Sequence, residues 1–173
     1  AARPGGIPVL PVNTLLAVAE QARWQIAQRG ESLPARIAAA LDARMDELYV
    51  AEVGLAGEPA QPRLDGHAWL SAPEALQLAD GWPDAGSGSE PLLAGNARTI
   101  YGARLPAAWQ AVRHEPSWPT AGAMLRLAPA LWAAGAAVPA AGAQPLYVRD
   151  KVAQTTEERE RLKAAKLAAG AGA

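Results

Sequence analysis

Residues 36–53 read RIAAALDARMDELYVAEV, and no other stretch limits the fold so tightly. The apolar run after Arg36 stops at Asp42-Ala43-Arg44, turns through Met45-Asp46-Glu47 and leaves as the alternating segment Leu48–Val53. A short apolar run bounded by turn residues and followed by period-two alternation predicts a buried strand, a tight charged turn and a second strand. The stretch therefore reads as a hairpin at the head of a sheet.

The flanks supply the rest of the plan. Ile7–Val12 reads as a short edge strand because Pro8 and Pro11 cannot serve an interior ladder. Asn13 or Thr14 is placed to cap a helix carrying Leu15, Ala19, Ala22 and Ile26 at helical spacing, which Gly30 ends. After the hairpin, Gly57–Pro62 reads as a turn and Arg63–Leu70 as a third, weaker strand. Pro73 opens a short helix (PEALQLAD), Asp84–Glu90 is a flexible loop, and Pro91–Asn96 is a short buried strand. An irregular Trp-containing stretch follows. Thr120 then caps a helix with Met124, Leu127 and Leu131 on one stripe, which Pro129 should bend or split. Leu146–Val148 reads as extended, and Thr155 or Thr156 caps a charged tail helix. Antiparallel strands followed by alternating helix and strand predict a mixed α/β sheet with helices on its faces.

Size and charge narrow the function. The 173 residues suffice for one domain with a real core, or for part of a larger protein. A net charge of −1 gives no bulk attraction to nucleic acid. The chain has no cysteine, which excludes disulfides, thiolate nucleophiles and Cys-based metal sites. Pro, Gly and charges interrupt every apolar run before the roughly 20 residues a membrane helix needs, and AARPGGIPVLPV is too short and Pro-rich for a signal peptide. A soluble, cytoplasmic protein is expected.

Reactive motifs are sparse. The two histidines, His67 in a turn-like stretch and His114 in a loop, belong to no pair at metal-binding helical spacing. No serine sits in a G-x-S-x-G elbow. Gly86-Ser87-Gly88-Ser89 lacks the lysine and spacing of a phosphate loop and reads as a linker. Gly95-Asn96 after a strand could approach a phosphate through its backbone, although a plain strand end explains it as well. Asp42, Asp46 and Glu47 surround one turn with Arg44 between them. Such carboxylates can do acid–base work or bind a hard cation, but turns favour Asp for backbone capping and Arg44 would neutralise one partner. Arg149–Lys166 mixes signs at helical spacing, as a solvated helix does. The six tryptophans read as core or rim packing.

Three stretches together resemble one family: PVNTLLAVAEQA (Pro11–Ala22), ALDARMDELYVAEV (Ala40–Val53) and QPLYVRDKVAQTTEERE (Gln144–Glu160). Leu92-Leu93-Ala94-Gly95-Asn96 adds a looser match. The chain is similar to the TsaB family, also called YeaZ, with Asp42, Ala43, Arg44, Glu47, Tyr49, Tyr147 and Arg149 as the marker residues. The resemblance implies a ribonuclease H-like subdomain of the actin/sugar-kinase/heat-shock ATPase (ASKHA) fold. It divides the chain into a connecting strand and helix (1–30), the second ribonuclease H-like subdomain (31–144) and a link with a charged tail helix (145–173). No counterpart of the family's first half is present, so the chain is expected to be the C-terminal portion of a longer protein. Cutting it from its mate should expose an apolar interface through the Leu15–Ile26 helix and the Pro129 region.

The resemblance further implies a non-catalytic scaffold subunit of the complex that makes threonylcarbamoyladenosine beside the tRNA anticodon. It would act with TsaD-like and TsaE-like proteins, reaching tRNA only through the complex. A homodimer is expected only where the N-terminal subdomain is present. The resemblance supplies no catalytic, cofactor-binding or metal-binding residue, and places ATP and metal in the partner subunits. Two other readings stay open: a metallopeptidase, from the glycoprotease label of the wider family, and a nucleotide-binding ASKHA module.

Overall fold

The computed structural model describes residues 6–57, 61–77 and 91–149. Helix α1 (Thr14–Gln28) comes first, capped by Asn13, whose Oδ1 accepts from the N–H groups of Leu15 at 2.8 Å and Leu16 at 3.2 Å. Gly30 takes φ +69° just past its end, the left-handed exit that glycine makes without strain. Strands β1 (Arg36–Arg44) and β2 (Glu47–Ala56) form the hairpin, followed by β3 (Gln61–Leu64) and β4 (Trp69–Ser71). Then come β5 (Leu92–Gly95), α2 (Ala97–Tyr101), α3 (Ala107–Ala111), β6 (Arg113–Glu115) and α4 (Ala121–Ala133).

The six strands form one mixed sheet in the order β3-β2-β1-β5-β6, with β4 also paired to β2. Strand β2 runs antiparallel to β1, β3 and β4, whereas β1, β5 and β6 are parallel. The protein is thus α/β, with helices on both faces of the sheet. On one face Ile37, Ala39, Ala51 and Val53 pack with Leu15, Val18, Ala22 and Ile26 of α1 and Ala123 and Leu127 of α4. On the other, Ala38, Ala40, Leu48 and Val50 pack with Leu76, Tyr101, Leu105 and Trp109. Covered on both sides, β1 had to read as a continuous apolar run rather than an alternation. Each fully buried aliphatic chain, such as Ile26, Ile37 or Leu92, contributes about 1.5–3 kcal/mol.

The hairpin closes unusually. Arg44 pairs with Glu47 across a two-residue loop, and a bulge lies between Asp42 and Arg44. Arg44, Met45 and Asp46 all have positive φ (+64°, +55° and +59°). Positive φ at both loop positions is the primed turn that matches strand twist, normally built from Asn-Gly. Side chains with a Cβ are held there at a cost of about 1–2 kcal/mol per residue. Met45→Asn combined with Asp46→Gly is therefore expected to raise stability by about 1 kcal/mol. The increase should appear as a higher urea midpoint at unchanged slope. A lower midpoint would show that the tip is not strained. The lost Asp46–Arg104 pair weighs little because both side chains are exposed.

Several expectations from the sequence are corrected. Ile7–Val12 is not a strand of the sheet; Val9 forms one isolated bridge, with Val138. The third strand splits into β3 and β4 on the same edge of β2, interrupted where Gly66 takes φ +86°. Only Pro73–Ala75 of the PEALQLAD helix is helical among the described residues, as a single 3-10 turn. The irregular stretch contains α2, α3 and β6, so His114 lies in a strand rather than a loop. Helix α4 is capped by Thr120, whose Oγ1 accepts from Ala123 N–H at 3.1 Å, and runs through Pro129 unbroken. Its inward stripe is Ala123, Leu127 and Leu131, with Met124 facing out. Residues Leu146–Val148 join no ladder.

The apolar face of α1 is core, not interface. Among the two expected regions, only α4 exposes apolar side chains broadly: Met124, Leu125 and Trp132. Trp109 is buried and donates from Nε1 to Leu76 O at 3.1 Å, while Trp24, Trp118 and Trp132 are exposed. The Asp84–Glu90 loop, Trp82 and the tail helix lie outside the described residues.

Candidate functional site

The carboxyl ends of parallel strands in an open sheet are where α/β proteins place their sites. Here those ends carry Asp42 on β1 and Asn96 just after β5. Asn96 Oδ1 accepts from the Asp42 N–H at 2.8 Å. Asp42 Oδ1 in turn accepts from the Tyr101 hydroxyl at 2.7 Å and the Arg44 N–H at 3.0 Å. Gly95 and Asn96 thus make a strand end stitched to β1.

Around the tip every carboxylate has a partner. Asp46 pairs with Arg104 at 2.9 Å, and Arg104 also pairs with Glu74 and lies 5.3 Å from the Tyr101 ring centre. Glu47 pairs with Arg149, which also donates to Ala43 O at 3.1 Å. Arg44 enters no ion pair among the described residues, contrary to its expected neutralising role; Arg104 and Arg149 take it instead. Glu74 is held below the ordinary carboxylate range by its hydrogen bond from Arg104.

The Tyr101 hydroxyl is pushed up to about 12, first by its bond to the Asp42 carboxylate and then by burial. A folded value above the unfolded one of about 10 favours the native state fully below pH 10. That contribution is lost as pH rises from 10 toward 12. Tyr101→Phe is expected to lower neutral-pH stability by about 1–2 kcal/mol and to flatten this alkaline loss. Stability measured in urea from pH 8 to 12 checks both effects; an unchanged alkaline slope would dismiss the bond.

On the opposite face of the hairpin lies an open, mainly apolar cleft of about 670 Å³. The cross-strand pair Leu41 and Tyr49 lines it, with Pro11–Leu15 on one side and Gln144, Pro145, Leu146 and Val148 on another. The markers divide accordingly. Ala43, Arg44, Glu47 and Arg149 meet at the tip, Asp42 anchors it to β5 and α2, and Tyr49 faces the cleft. Tyr147 is 80% exposed and joins neither group.

His114 is half-buried, with Nε2 3.2 Å from Gly95 O, and burial holds its pKa below the ordinary imidazole value. His67 is exposed in the β3–β4 connection. Among the described residues no three acidic or histidine side chains are grouped to hold a metal ion, and no helix is long and apolar enough to cross a membrane.

No family model and no curated protein sequence matches the chain. Solved structures do. The structure of YeaZ from Pseudomonas aeruginosa is 32% identical and superposes with a TM-score of 0.64, over 81% of this chain and 58% of that one. A second, described as an uncharacterized protein with similarity to peptidase YEAZ from Pseudomonas aeruginosa, is 33% identical with a TM-score of 0.65, over 82% of this chain and 59% of that one. The chain is thus similar to YeaZ over four-fifths of its own length.

The chain spans just under three-fifths of the length of those two structures. Sequence reasoning about it missed Tyr101, Asn96 as a tie to β1, and Arg104. Their partners on the hairpin lie 54 to 59 positions away in the chain, beyond any local spacing rule.

Proposed function

We propose that this chain is a member of the YeaZ family and a TsaB-like, non-catalytic partner subunit of the complex that makes threonylcarbamoyladenosine next to the tRNA anticodon, acting in the cytoplasm with TsaD-like and TsaE-like proteins. The observation that carries this reading is the 32–33% identity to YeaZ structures across four-fifths of the chain. The strand order, with β2 antiparallel beside a parallel β1-β5-β6 set, supports a ribonuclease H-like subdomain of the ASKHA type. The engagement of Asp42, Asp46 and Glu47 with Tyr101, Arg104 and Arg149 supports a scaffolding role for the tip rather than acid–base chemistry.

The test is co-expression of the longest natural form of this chain with a TsaD-like protein from the same source. Co-elution, and recovery of threonylcarbamoyladenosine in cells lacking their own YeaZ, are the expected results. Failure of both overturns the reading. Chelator-sensitive proteolysis abolished by His67→Ala or His114→Ala would replace it with the peptidase reading.

A further inference from the structure

We propose that residues 143–149 are a strap forming one wall of the apolar cleft, and that Arg149 is the latch seating this strap on the hairpin tip.

The strap has little else to hold it. Among the described residues, 144–149 form no backbone–backbone hydrogen bond. Leu146 is 69% exposed and Tyr147 lies almost entirely in solvent. Only Val148 packs on the core. Upstream, the chain is pinned where Val9 and Val138 exchange two 2.9 Å hydrogen bonds. Between that bridge and Arg149, Gln144, Pro145, Leu146 and Val148 are cleft wall without a ladder.

Arg149 supplies the downstream pin. Its side chain is 16% exposed, well below Leu146 and Tyr147 of the strap. Nη2 donates to Glu47, to Ala43 O at 3.1 Å and, more weakly, to Arg44 O at 3.4 Å, while Nη1 lies 3.4 Å from Met45 Sδ. The β1 bulge explains the available acceptors, because a bulged residue drops out of the ladder and leaves its polar groups unpaired. A planar guanidinium holds its donors in a fixed fork, so it loses less freedom on bonding a carboxylate and adjacent carbonyls than the flexible, strongly hydrated ammonium of lysine. The irregular turn and the latch are therefore one device, and the geometry of the tip sets whether the cleft wall is seated. This inference rests on the contacts alone and stands whether or not the partner-subunit reading does.

The absence of native cysteine makes the test clean. A single reporter thiol is introduced as Val148→Cys on the strap, or as Ala19→Cys in the fully buried face of α1, and its reaction with a thiol reagent is timed. In the Arg149→Ala background the strap thiol is expected to react at least tenfold faster, with less than a twofold change at position 19. An unchanged rate at position 148 overturns the proposal, because apolar seating alone then holds the wall. Equal acceleration at both positions also overturns it, since Arg149 would then support the whole fold. If Arg149→Ala does not fold, Arg149→Lys serves. It should accelerate the strap thiol severalfold, and a wild-type rate there would rule out the guanidinium fork as the latch.

Discussion

Gly95→Ala is expected to destabilise the protein by about 4–5 kcal/mol, enough to leave many domains unfolded. A Cβ at this position would sit 2.1 Å from Ala40 O and 3.0 Å from Ala40 C. The backbone there has φ +113°, which L side chains avoid, so strain adds to the collision. Neither side can yield. Ala40 lies in the central strand, fully buried and paired to both β2 and β5. Gly54→Ala is the matched control: its Cβ would meet the Asp65 carboxylate at 3.0 Å, the mobile end of an exposed side chain. That substitution should cost less than about 1 kcal/mol. Urea midpoints for both variants decide the matter, and a Gly95→Ala protein as stable as Gly54→Ala would mean the β1–β5 approach is looser than described.

The second large effect concerns a carboxylate at the α1–α4 interface. Glu20 has a side chain only 2% exposed, yet it accepts from Arg23 at 2.6 and 2.9 Å and from Arg126 of α4 at 2.7 Å. Arg126 also donates to Gln21 Oε1 at 2.9 Å and lies 4.9 Å over the Trp24 ring. Its bond to Glu20 holds the Arg23 guanidinium above its ordinary value. The three charges are unequal in exposure, since Arg23 and Arg126 are 16% and 29% exposed. Arg23→Met with Arg126→Met keeps the packed stems but strands a charge in the interior, a change expected to cost about 3–5 kcal/mol. Glu20→Gln leaves two cations that can turn to water and should cost only about 1–2 kcal/mol. Denaturant midpoints compare the two. If Glu20→Gln proves the more damaging, the buried carboxylate is not the group whose desolvation the arginines offset.

These two effects differ in how far the sequence announced them. Gly95-Asn96 stood out as a turn after a strand, but its meaning was open between a phosphate-facing loop and a strand end. Only the 2.1 Å approach to Ala40 shows what the glycine does. Glu20 and Arg23 are visible as neighbours on one helix face. Arg126, 106 positions from Glu20, is not.

The same division runs through the fold. Helix α1 and the hairpin were legible because their signals are local: a cap, a period and a charged turn within a few residues of one another. Strands β3, β4 and β6, with three or four residues each, carry too few positions for a period to show, and they exist because β2 and β5 offer them edges. Helix α4 was legible in its cap but not in its continuity through Pro129 or its orientation. Its apolar residues run nearly all round, so composition could not say whether Met124 or Ala123 turns inward.

By itself the sequence determined that this chain would carry a capped helix, a charged-tip hairpin and an α/β plan, and its three motif stretches pointed to the family. Those properties depend on neighbouring residues and survive without knowledge of the rest. The tertiary structure alone decided that β1 is central and hidden on both faces, that Asp42 is tied to Asn96 and Tyr101, and that Arg149 returns to the hairpin tip from 102 positions beyond Glu47. Hydrogen bonds and ion pairs act over a few ångströms whatever the separation in sequence, so only the folded path of the chain could reveal them.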